Sequence, residues 1–95
     1  MRLRWTPEAA NNLEEIHYYL QENLPAYAER TITRIYREIS GLRRFPMMGQ
    51  PLGRNEVRGL LVDERRYICV YRVSNDAVHL LHIFHTAQER SKTFQ

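Results

Sequence analysis

At 95 residues with no break in composition, the chain is one domain, residues 1–95, and a domain this size buries only about 60–65% of the surface its unfolded form exposes. Hydrophobic residues at 43% and charged residues at 26% exclude disordered and fibrous classes, while a lone Cys69 excludes an intramolecular disulfide and fits a reducing compartment. The net charge of +3 rests on arginine, with Lys92 the only lysine, and the planar guanidinium fork pairs with carboxylates and phosphates. Acidic protein or nucleic acid is therefore one expected partner, and an arginine-favouring genome is the competing explanation.

Met1, Leu3 and Trp5 alternate with Arg2 and Arg4, the period of a short strand with one apolar face. The start carries no apolar region of signal-peptide length, and no apolar run approaches membrane-spanning length, so a cytoplasmic protein without membrane contact is expected. Thr6 and Pro7 form a helix start, a hydroxyl at the N-cap and a proline at the first helical position, with Glu8 at the positive end of the dipole. Ala9, Leu13, Ile16 and Leu20 then fall on one stripe of a helix running to about Asn23.

Leu24-Pro25 interrupts that helix and starts a second one. Ala28, Ile32, Ile35, Ile39 and Leu42 repeat at four and three, so the two stripes face each other in an antiparallel hairpin. Gly41 is expected to weaken the second helix and Pro46 to end it. Phe45 to Gly53 is turn chemistry throughout, with Met47 and Met48 read as filler packed under the loop in preference to a cofactor-side or partner-side patch.

Val57 to Val62, Tyr67 to Val73 and Ala77 to His85 read as three strands, joined by a charged turn at Asp63 to Arg66 and a tight turn at Ser74 to Asp76. The order strand, two helices, three strands predicts an α+β fold. The helical hairpin packs on one face of a mostly antiparallel, four-stranded sheet.

Chemical motifs are sparse. His79, His82 and His85 recur every third residue, which on an alternating strand puts them on different faces, so no metal or other cofactor is expected. Cys69 sits in an apolar strand pattern and reads as a small buried hydrophobe. What remains is a set of cations near the rim of the sheet: Arg58, Arg65, Arg66, Arg72, His85 and Arg90. Such a set binds phosphodiester oxygens, and with His85 as general acid or base it would support metal-free RNA cleavage by the neighbouring 2′-hydroxyl. The bland reading is a solvated basic face paired to Asp63, Glu64 and Glu89.

In order and spacing, these residues resemble the RelE/ParE superfamily of bacterial toxins from type II toxin–antitoxin modules. The resemblance is carried by the strand followed by Thr6-Pro-Glu-Ala-Ala10, the hairpin closing in Leu42-Arg-Arg-Phe-Pro-Met-Met-Gly49, the strand ending Val70-Tyr-Arg-Val73, and the last strand running into His85. It implies a cytoplasmic single toxin domain of the same α+β fold and a cognate antitoxin that wraps the toxin. Operator DNA would be reached only through the antitoxin complex.

RelE-like members cleave mRNA on the ribosome, whereas ParE-like members share the fold, lack that catalytic set and poison DNA gyrase. Alignment of the tail puts Gln88, Ile68 and Phe94 where two catalytic arginines and a tyrosine are expected. The resemblance therefore implies a ParE-like, non-enzymatic gyrase inhibitor, with Arg58, His85, Arg90 and Phe94 as target-binding residues. The alternative is a ribosome-dependent, metal-free mRNA endoribonuclease with His85, Arg65 and Arg90 as catalytic residues, and a third reading is an inactive relative that only binds its antitoxin.

Overall fold

The computed structural model of the chain describes residues 1–53 and 55–87. Strand β1 (Arg2–Trp5) leads into helix α1 (Pro7–Asn23) and helix α2 (Pro25–Ser40), followed by strands β2 (Gln50–Pro51), β3 (Val57–Val62), β4 (Tyr67–Val73) and β5 (Ala77–His85). The sheet order is β1-β5-β4-β3-β2, with β1 parallel to β5 and every other pair antiparallel. The α+β layout expected from the sequence holds, with one correction: among the described residues the sheet has five strands, not four. The extra one, β2, is a two-residue pairing of Gln50 with Gly59 and Pro51 with Arg58, too short to produce a periodic signal.

Each helix begins on a proline whose missing N–H costs nothing in the first turn. Thr6 caps α1, its Oγ1 accepting from the Ala9 N–H at 3.1 Å. Ala9, Leu20, Ala28, Ile35 and Ile39 are buried as the two stripes require, and removing an Ile35- or Ile39-sized side chain from water contributes about 1.5–3 kcal/mol. Gly41 does not weaken the interior of α2, because the helix ends at Ser40 and Gly41–Arg43 tightens into a 3-10 turn that still delivers Leu42 to the core. His17 and Glu29, 2.7 Å apart, join the two helices, and Trp5 stacks on Tyr36 with centroids 5.6 Å apart.

The helices cover one face of the sheet. Leu60, Val62, Tyr67, Cys69, Tyr71, Val73, Val78, Leu80 and Ile83 point into that interface. Cys69 is fully buried, and desolvation pushes its thiol up to about 12, so it is an apolar core residue rather than a nucleophile.

A bulge at Leu81 interrupts the β4–β5 ladder: Tyr71 pairs with Leu80, and Val70 with His82. It corrects the expected alternation of the histidines. His79 and His82 pair with Arg72 and Val70 on the helix-free face, while His85 pairs with Tyr67 on the other. Met47 and Met48 are a third correction, since both are exposed beside an exposed Phe45 rather than packed as filler. Among the described residues no helix is long and apolar enough to cross a membrane, and no group of three His, Cys, Asp or Glu residues is placed to hold a metal ion.

Candidate functional site

Beyond Leu80, β1 has ended, and among the described residues no strand lies beside β5 on that side. Helix α1 closes part of the gap. Thr6 Oγ1 donates to the Leu80 carbonyl at 2.7 Å, and Asn12 Oδ1 accepts from the Ile83 N–H at 3.0 Å, so side chains stand in for a missing strand. Between this edge and the helical hairpin runs an open groove of about 1150 Å³. Ile16, Leu20, Leu24 and Ile83 supply its apolar surface, Tyr19, Tyr27 and Tyr67 its aromatic walls, and Glu8, Glu15, Asp63, Arg66, His82 and His85 its polar rim. Apolar surface with a charged rim suits an amphipathic segment of another protein better than a small molecule.

The far end of the groove is the β3–β4 turn. Asp63, Glu64 and Arg65 have φ of 53°, 55° and 71°, a left-handed run of non-glycine residues that costs about 1–2 kcal/mol at each position. Ion pairs and hydrogen bonds oppose that strain. The Asp63 carboxylate, only 3% exposed as a residue, lies 3.4 Å from Arg66 and 3.8 Å from Arg34, and the Asp63 N–H donates to Glu38 at 2.7 Å. Arg34 also reaches Glu64 at 3.4 Å. Thr86 ties the end of β5 to the same turn, its N–H donating to the Arg66 carbonyl and its hydroxyl lying 3.0 Å from the Arg65 carbonyl.

The sequence-predicted residues do not converge on one point. His85 ends β5 with its ring edge-on to Tyr67, centroids 5.1 Å apart, and its Nδ1 accepts from the Ala87 N–H at 3.1 Å. That bond places the neutral ring's proton on Nε2. Burial, and then the Asp63 carboxylate, raise the Tyr67 hydroxyl above its ordinary range, so Tyr67 is a neutral hydrogen-bonding group rather than a phenolate. Arg65 is brought close through its backbone, and its guanidinium has no ion pair among the described residues.

Arg58 lies elsewhere. It pairs with Tyr71, four residues along β3 from the Val62–Tyr67–His85 line, which is about 13 Å away. Its Nη1 donates to the carbonyls of Gly49 at 2.7 Å and Met47 at 3.3 Å, which makes it a clamp on the preceding loop. Arg90 and Phe94, together with Gln88, lie outside the described residues.

Ile68 faces the helix-free side in a cross-strand line with Leu61 and Phe84. That line is wholly apolar, and Leu61 is 41% exposed. Sequence reasoning missed the groove, whose written signals were Asn12 in the middle of a helix and the tyrosines Tyr19 and Tyr27 on the helical hairpin.

The family model for the ParE toxin of the type II toxin–antitoxin system parDE matches residues 3–90. The chain belongs to this toxin family. A relative from Sinorhizobium fredii (strain NBRC 101917 / NGR234), "Putative toxin Y4kP", is 34% identical over 88 residues, covering 93% of this chain and 91% of the relative. Among solved structures, the chromosomal ParDE toxin–antitoxin system from P. aeruginosa superimposes with a TM-score of 0.79 at 24% identity, covering 90% of this chain and 95% of that one. The RelBE2 toxin–antitoxin complex from Mycobacterium tuberculosis superimposes at 0.56 with 20% identity, covering 88% and 95%. The ParE-family chain thus has the fold shared across the RelE/ParE superfamily.

Proposed function

We propose that this ParE-family toxin inhibits DNA gyrase in the cytoplasm by binding it, without a reaction of its own. A cognate antitoxin holds it inactive by laying an amphipathic segment into the groove between the helical hairpin and the open edge of β5. The choice of target is supported by the apolar line Leu61, Ile68 and Phe84, because Ile68 stands where a ribosome-dependent relative would present a catalytic cation. Removing one such electrostatic stabiliser costs an enzyme about 10²–10³ in rate. Operator DNA is contacted only as part of the antitoxin complex in this reading.

A plasmid supercoiling assay with gyrase, ATP and the free protein tests the proposal. Lost supercoiling, with linear DNA released after protease treatment, is the expected result, and full supercoiling at concentrations that arrest growth would overturn it. The second reading, mRNA cleavage on the ribosome, draws support from His85 lying beside the turn that carries Arg65. It requires that His85→Ala abolish cleavage while circular dichroism shows the variant still folded.

A further inference from the structure

The helix-free face of the sheet is not uniform. At the end opposite the apolar line, β1, β5 and β4 align Arg4, His79 and Arg72 in one cross-strand line, and Arg2 stands beside Ala77 in the adjacent line. Strands about 4.8 Å apart put the Arg4 and Arg72 backbones about 10 Å from each other, and Arg2 lies about 7 Å from Arg4 along β1. All three arginines are exposed. None is ion-paired among the described residues. Arg72 is steadied by a 3.3 Å hydrogen bond from its Nε to the Asn55 carbonyl, and His79 Nε2 lies 3.1 Å from Ser74 Oγ. The nearest acid in sequence, Asp76, is engaged instead with Ser74.

We infer that Arg2, Arg4 and Arg72 form a strip that grips the phosphate backbone of duplex DNA without reading its sequence. Two alternative partners are poorer fits to the surface. A protein partner would need an apolar or aromatic anchor at the centre of its contact, and the apolar residues in these lines, Val57 and Ala77, are already buried. Single-stranded nucleic acid is held largely by stacking on aromatic rings, and the exposed rings, Tyr18, Tyr19, Tyr27, Tyr36 and Phe45, all belong to the helices or the loop after them. Planar forks on rigid strands, about 7–10 Å apart by strand geometry and lacking an apolar centre, match an array of backbone phosphates. The inference rests on the gyrase reading only for the source of the duplex, which gyrase holds while it works.

Fluorescence anisotropy of a labelled 20-base-pair duplex of arbitrary sequence, titrated with the free protein at several salt concentrations, tests this directly and without gyrase. Three phosphate contacts predict a log–log salt slope of about −2.7 from the strip, equivalent to roughly a 40-fold loss of affinity between 50 and 200 mM salt. The triple variant R2Q/R4Q/R72Q should lose that slope, R2K/R4K/R72K should keep it, and R30Q/R37Q/R44Q, with the same change in net charge on the helical side, should bind like wild type. Circular dichroism and antitoxin binding check that each variant is folded.

Equal loss in the helical-side variant, tighter binding of a single-stranded RNA of the same length, or a loss of antitoxin affinity confined to the strip variant would each overturn the inference. Duplex binding that follows the strip while supercoiling is unaffected would instead leave the strip standing and remove gyrase as the target.

Discussion

The two places where the rest of the fold grips the central β3–β4 hairpin are built on opposite principles. At the loop before β3, the Tyr71 hydroxyl donates to the Pro46 carbonyl at 2.7 Å and accepts from the Gly49 N–H at 2.9 Å, with Arg58 clamping the Gly49 carbonyl from the side. These contacts are short, buried or partly buried, and made to backbone groups. At the β3–β4 turn, a left-handed backbone is held by half-exposed charges from α2 and Arg66. The first junction is fixed by shape. The second balances strain against electrostatics, and such balances are what salt, a partner or a mutation can shift.

The sharpest way to break the shape-fixed junction is Gly49→Ala. A Cβ there would lie 2.7 Å from the Tyr71 hydroxyl and 2.8 Å from the Gly59 carbonyl oxygen, and the backbone oxygen of a paired strand cannot step aside. Overpacking of this kind costs about 1–3 kcal/mol, and we expect the upper end in urea unfolding. Tyr71→Phe comes next. It strips the Pro46 carbonyl and the Gly49 N–H of a shared partner, at about 1–3 kcal/mol, and the loss should hardly change between low and high salt.

Asp63→Asn tests the charged junction. Its partners Arg34 and Arg66 are substantially exposed, so the expected loss is about 1 kcal/mol at low salt, shrinking as salt is added. A loss as large and as salt-independent as that of Tyr71→Phe would erase the contrast between the junctions. The smallest effect has the opposite sign. Arg65→Gly relieves a φ of 71° and should stabilise the protein by up to about 1 kcal/mol, whereas Leu61→Gly, on a regular strand, should destabilise it.

This division also separates what was legible in the sequence from what was not. The two helical stripes and the three long strands follow from period and punctuation, because Thr6-Pro7, Leu24-Pro25 and the turns at Asp63 and Ser74 mark their boundaries locally. The bulge at Leu81 left no mark, since an inserted residue in a run of Leu, Leu, His and Ile preserves the composition while changing which face each side chain meets. Asp63 looked like one more solvated turn residue, and its burial depends on Arg34 and Glu38, which lie more than twenty residues away in the sequence.

The candidate site was legible in its parts but not in its assembly. His85 was identifiable as the end of a strand, yet only the register shows that Arg58 belongs to a different line of the sheet. The groove could not be foreseen at all. It exists because β1 stops at Trp5 while β5 continues to His85, a mismatch of lengths that no local pattern encodes.

The parallel pairing of β1 with β5 has a kinetic consequence. Among the described residues β1, the first strand in sequence order, pairs only with β5, the last, with Leu3 opposite Val78, so this sheet edge cannot close until β5 has been made. Contacts this distant in sequence slow folding toward the millisecond-to-second range of strand-dominated domains. Throughout that interval Leu3 and Trp5 have no strand to lie against, so any partner that binds the growing chain would meet a half-built sheet before a finished one.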